Sequence, residues 1–135
     1  MTALTQGRNT PYRDGKRRNF AVAAAAVIYQ GAMVALNSSD NLVPASTSTT
    51  LSVVGRAQDG VDNTNGIAGA ERCEVDTGIF LYANSSAGDL IAASDIGSDC
   101  FAVDDQTVAL TNGGSSRSVA GKIFDVDANG VWVQF

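Results

Sequence analysis

The 135-residue sequence predicts an all-β (mainly β) fold, a small antiparallel β-barrel or β-sandwich with an extended N-terminal arm. Three observations carry that expectation. From Phe20 onward, short β-branched or aromatic runs alternate with clusters of Gly, Asn, Asp and Ser, the texture of a sandwich or barrel. Asn129-Gly130 lies between two apolar runs and is a strong hairpin signal, because both residue types accept the positive φ of a type I′ turn. Residues 1–19 are polar, contain Gly7, Pro11 and Gly15, and show neither a period of 2 nor one of 3.6. The expected division is an extended basic arm over 1–19 and a single β-rich domain over 20–135.

The elements follow in order. Ala21–Val27 has helix propensity, but it lacks a strong cap and an amphipathic stripe and runs straight into a β-rich segment, so it reads as strand or extended edge. Ala26–Leu36 is the first long strand. Asn37–Asn41 turns the chain into Leu42-Val43, where Pro44 stops the pairing. Ala45–Thr50 is a Ser/Thr linker and Leu51–Ala57 a second long strand. Gln58–Gly69, rich in Asp, Asn and Gly, reads as a flexible loop of the kind that often carries contacts. Arg72–Ala83 is one bent strand or two, with Cys73, Val75, Ile79, Leu81 and Ala83 on one parity and Gly78 at the bend. A single helical turn around Ala92–Ile96 is the only helical signal in the second half. Cys100–Val103 and Thr107–Leu110 flank Asp104-Asp105-Gln106 as a hairpin, and Val119–Val126 with Val131–Phe135 form the last one. There Phe135 shares a face with Val131 and Val133 while Trp132 points the other way, and both aromatics are expected in the core.

Little in the composition supports catalysis. The chain has no His, which removes the commonest general base and metal ligand together with every Ser-His or Cys-His pair. Cys73 and Cys100 cannot make a four-ligand zinc site; they could form one disulfide, but two small buried hydrophobes is the preferred reading. Asp125 to Gly130 matches the first half of a calcium loop, yet the bidentate Glu of its twelfth position would fall at residue 136, and the flanks read as strands. A plain hairpin with no metal is expected. Asp104-Asp105 and the pair Asp95/Asp99 sit in turns, where Asp is favoured for bonding backbone amides. Asn112–Ser116 has no following Lys-Ser or Lys-Thr, so it is a loop and not a phosphate cradle. No cofactor and no enzymatic activity are expected.

Charge is more informative than its total of −5. Residues 1–19 hold five bases against Asp14, a net of +4, while residues 20–135 hold four bases against thirteen acids, a net of −9. An acidic body repels phosphate, and Tyr12 and Phe20 are too few aromatics for a stacking platform, so nucleic acid is not an expected partner. The candidate binding residues are Arg8, Tyr12, Arg13, Lys16, Arg17, Arg18 and Phe20, docking on an acidic protein surface. Arg17-Arg18 before Ala21–Ile28 also looks like part of a twin-arginine signal, but the apolar run breaks at Tyr29-Gln30-Gly31 and no small-x-small site follows. An exported β-domain with such a signal in residues 1–36 is the alternative reading. No stretch is long and apolar enough for a membrane helix.

The series Ile28-Tyr29-Gln30-Gly31-Ala32-Met33-Val34-Ala35-Leu36, Val53-Val54-Gly55-Arg56-Ala57, Val75-Asp76-Thr77-Gly78-Ile79-Phe80, Asp99 through Val108 and Ala120 through Asp127 resembles the capsid cement, or head decoration, proteins of tailed bacteriophages and prophages. The resemblance spans roughly residues 20–135. It implies a small β-rich protein, made in the host cytoplasm, that binds the outer surface of an expanded head. There it would stabilise the virion by bridging subunits of the major capsid protein, commonly as a homotrimer, without catalysis or cofactor.

Overall fold

A computed structural model describes residues 2–135. Among them the chain forms twelve strands: β1 (Arg17–Ala21), β2 (Val27–Ile28), β3 (Met33–Leu36), β4 (Leu42–Pro44), β5 (Ser52–Ala57), β6 (Val61–Asp62), β7 (Arg72–Asp76), β8 (Ile79–Asn84), β9 (Asp99–Ala102), β10 (Thr107–Ala109), β11 (Val119–Asp127) and β12 (Gly130–Gln134). Two 3₁₀ turns, Ala87–Asp89 and Ala93–Asp95, are the helical content, the second within the expected turn. The fold is all-β.

The first half makes an antiparallel sheet of order β1-β7-β5-β3-β4, which curls until Val22 bridges Leu42 and the Ala23 N–H donates to the Leu42 carbonyl at 2.9 Å. Its core is Val22, Ile28, Val34, Leu42, Cys73 and Val75, all essentially without exposure. The second half is a closed five-stranded barrel, β10-β8-β12-β11-β9, with β10 parallel to β8 and the other neighbours antiparallel. Ile91, Cys100, Val108, Ile123, Val131 and Val133 fill it. Closure removes the open edges that a five-stranded sheet would otherwise expose.

Met33 and Ala45 belong by sequence to the first half and yet pack into the barrel core. The Met33 N–H donates to the Asp105 carbonyl at 2.8 Å, the Tyr82 hydroxyl to the Gly31 carbonyl at 3.1 Å, and the Thr47 hydroxyl to the Val103 carbonyl at 2.9 Å. Ser118, buried at the same seam, donates its hydroxyl to the Ser48 carbonyl. At Gly55 (φ 145°), β5 passes so close to β7 that a Cβ would lie 2.4 Å from the Asp76 carbonyl oxygen, so only glycine fits.

Several expectations change. Pairing begins at Arg17, within the stretch expected to be arm, because Arg17, Asn19 and Ala21 stand opposite Asp76, Glu74 and Arg72 of β7. Ala21–Val27 is extended only through its first residues and then turns, with Ala25 at φ 59°. Ala26–Leu36 is two strands, since Ala32 N–H closes a turn on the Tyr29 carbonyl at 3.1 Å. Gln58–Gly69 is not free: it contains β6, and its Asn63 is 2% exposed. The Asn63 amide donates to the carbonyls of Ala23 at 2.9 Å and Ile67 at 3.0 Å, tying the loop to the segment that follows β1. Gly78 (φ 148°) does bend the chain, but it also resets the alternation. Cys73 and Val75 point inward before it, whereas Phe80 and Tyr82, and not Ile79 and Leu81, point inward after it. Trp132 is half-buried on the outside of the barrel instead of in its core.

Candidate functional site

The seven residues singled out from the sequence separate into two groups. Arg8, Tyr12, Arg13 and Lys16 precede β1 and are exposed, Tyr12 to 94%. Arg17, Arg18 and Phe20 belong to β1 and serve the body. The Arg17 guanidinium reaches Glu74 at 3.3 Å and Asp76 at 2.9 Å. Arg18 donates to the Val54 carbonyl at 2.8 Å and lies over the Phe20 ring, which packs on the sheet core. Two of the five bases assigned to the arm are thereby withdrawn from it. The remaining arm, residues 1–16, carries three bases against Asp14, a net of +2, on a body whose net is −7.

The arm is rooted at the crossover between the two halves. The Thr77 N–H donates to the Lys16 carbonyl at 2.8 Å and the Thr77 hydroxyl to the Gly15 carbonyl at 3.2 Å. Beside this root, Asp76 is 15% exposed and takes hydrogen bonds from Arg17 and, at 3.0 Å, from Arg56. Burial pushes the Asp76 carboxyl up, but the two guanidinium partners outweigh it and hold it below the usual carboxylate range. Arg56 in turn stacks over Phe80, its Cζ 4.6 Å from the ring centre. Nothing local in the residues signals this network, because Arg56 and Asp76 lie in separate strands.

The outer face of the barrel next to this root is apolar. The β8–β12 register sets Ile79 opposite Gln134 and Leu81 opposite Trp132, and a bulge between Ile123 and Asp125 leaves Phe124 on β11 52% exposed. Ile79 and Leu81 are 37% and 40% exposed. At the hairpin end the Trp132 indole N–H donates to an Asp127 carboxylate oxygen at 2.9 Å, and the other Asp127 oxygen takes the Asn129 N–H at 2.7 Å. Asp125 accepts the Val126 N–H at 2.8 Å. Both acids of the suspected calcium loop are thus oriented by the hairpin, and among the described residues no three metal-ligating side chains converge.

Chemistry is poorly served elsewhere. Cys73 and Cys100 are free and buried in different cores, and burial pushes both thiols up, Cys100 to about 11, so neither is a nucleophile at neutral pH. Burial likewise raises the Tyr82 hydroxyl. A groove of about 290 Å³ between sheet and barrel, lined by Arg18, Val53, Val119, Lys122 and Phe135, contains Lys122 already paired with Asp99 at 2.6 Å. Asp104 accepts the Gln106 N–H at 2.9 Å and Asp95 the Ala92 N–H at 2.8 Å, both as turn residues. No helix among the described residues is long and apolar enough to cross a membrane. No protein-family model matches the chain, and no curated protein or solved structure matches it.

Proposed function

We propose that this chain is a tailed-bacteriophage capsid decoration protein, which binds the outer surface of the expanded head, bridges major capsid protein subunits as a homotrimer, and catalyses nothing. The observation that carries the reading is the pairing of an acidic all-β body with a basic arm whose residues 2–16 are exposed throughout. Such an arm cannot repay its own ordering entropy without a partner. Arg8, Tyr12, Arg13 and Lys16 are the residues offered to an acidic protein surface in the assembled shell. A lattice presents the same site many times, so a cyclic oligomer multiplies individually weak contacts. The alternative of an exported domain fits less well. Residues 17–36 supply β1, β2 and β3, with Met33, Val34 and Ala35 unexposed, so cleavage near residue 36 would remove three strands from the body.

The test is co-sedimentation of the full chain with expanded, undecorated heads, alongside the mass of the chain recovered from cells. Saturable binding of the uncleaved chain is the expected result. Failure to bind such heads, or recovery only of a chain starting beyond about residue 35, would overturn the reading.

A further inference from the structure

The exposed arm and the bare face of the barrel are complementary. The face offers Ile79, Leu81, Phe124 and Trp132 on three adjacent strands, rimmed by Asp125 and Asp127. Among the described residues neither rim carboxylate has an ion-pair partner, and neither do Arg8, Arg13 and Lys16 of the arm. The arm also carries two apolar side chains with nothing to cover them, Leu4 (72% exposed) and Tyr12 (94% exposed). An aromatic beside arginines matches an apolar floor with an acidic rim in both chemistry and sign.

Within a single copy the two do not meet. The arm leaves the body at Thr77, two residues before Ile79, yet it stays exposed from Thr2 to Lys16 and leaves the face uncovered. Extended, its fifteen residues from Thr2 reach about 50 Å, well beyond a body whose radius of gyration is about 14 Å. It is long enough to cross to a neighbour.

We propose that the arm of one copy lies across the β8–β12–β11 face of a second copy, with Tyr12 on the apolar floor and Arg8 and Arg13 facing Asp125 and Asp127. This rests on the reading that the arm engages an acidic surface in the shell, and it names that surface. Each copy has one arm and one face, so in the homotrimer of the decoration reading the contact runs head-to-tail and closes into a ring with no arm left over. The ring surrounds a shared axis, the geometry a decoration trimer needs.

Sedimentation of the purified full chain, without capsids, tests this directly. The parent should form a closed oligomer that weakens as salt is raised, since surface ion pairs are screened. Arg8→Glu with Arg13→Glu, and separately Tyr12→Ser, should each weaken self-association at least about tenfold; both lie in the exposed arm and leave the fold intact by circular dichroism. Asp125→Lys should weaken it too, and combined with the arm reversal should restore it. Trp132 fluorescence gives a second readout, because the partner's arm covers that indole only in the oligomer. A monomeric parent, or an oligomer indifferent to the arm variants, would overturn the exchange. So would a monomer whose Trp132 emission responds to Tyr12→Ser, which would place the arm on its own barrel, or loss of head binding by Asp125→Lys with the oligomer unchanged. Head decoration by a trimer whose assembly ignores the arm variants sinks this inference alone, and an arm-linked ring that ignores heads sinks the decoration reading alone.

Discussion

Replacing Asn63 by Ala should be among the costliest single changes in the first half. The side chain is 2% exposed, and its amide group serves two backbone carbonyls at good distance, Ile67 at 3.0 Å within the loop it organises and Ala23 at 2.9 Å in the segment after β1. Its own N–H donates to the Ala26 carbonyl at 2.9 Å, which the substitution preserves, so the loss is confined to the side chain. Two net hydrogen bonds contribute about 1 kcal/mol each, and carbonyls left dry add about 1–2 kcal/mol, a total of about 3–4 kcal/mol. For a chain of this length the unfolding entropy near the midpoint is about 0.28 kcal/mol/K, so Tm should fall by about 11–14 °C in a thermal melt followed by far-UV circular dichroism. The nearly isosteric Asn63→Asp sharpens the test. A carboxylate there would face carbonyl oxygens and lose its donor, so its folded-state pKa should rise. Its deficit relative to the parent should be greatest at neutral pH and shrink as pH falls through that raised value, where the protonated acid can donate once. A Tm for Asn63→Ala within about 2 °C of the parent would refute the claim that this amide holds the loop.

Other outcomes can be stated more briefly. Gly55→Ala forces a Cβ to 2.4 Å from the Asp76 carbonyl at a φ of 145°, so urea midpoints should show a loss of at least about 1–3 kcal/mol, whereas Gly7→Ala, in open space, should be silent. Thiol titration should count two groups per chain only after denaturation, since Cys73 and Cys100 are free and buried. The Cys100 thiol, held up to about 11 by burial, contributes stability that is complete below the ordinary thiol value and lost as pH rises toward 11. The parent should therefore lose about 1.4 kcal/mol per pH unit across that window relative to Cys100→Ala, and parallel pH–stability curves would count against it.

How far the residues announced the structure depends on how local each signal was. The Asn129-Gly130 hairpin, the Cys100–Val103 and Thr107–Leu110 pair and the turn near Ala92 were legible because each rests on neighbours in sequence. Long-range partners were not. Arg17 and Arg18 read as arm because nothing near them shows that Asp76, Glu74 and the Val54 carbonyl wait across the sheet. Ile79 and Leu81 appeared to continue the parity of Cys73 and Val75, and only the bend at Gly78 turns them outward. Asn63 looked like one more polar residue in a loop, since a buried amide and a solvated one have the same local sequence. The candidate site was half visible: the arm is a matter of composition, but the face that complements it is assembled from three strands separated by up to about fifty residues.

Because the chain crosses from sheet to barrel once, at Thr77-Gly78, the two halves are made in succession by the ribosome. When residue 78 has been added, β1 to β7 are complete, yet Met33 and Ala45 have no barrel to enter. The remaining 57 residues take about 3–11 s to synthesise at ordinary elongation rates. As the first half emerges, its apolar seam at Met33 and Ala45 has nothing to cover it until the barrel strands follow. Barrel closure then joins β12 to β8 across some fifty residues, a slow non-local step. The seam at Met33 is therefore where a chaperone would bind, where premature termination would lead to aggregation, and where the folding of both halves becomes one cooperative event.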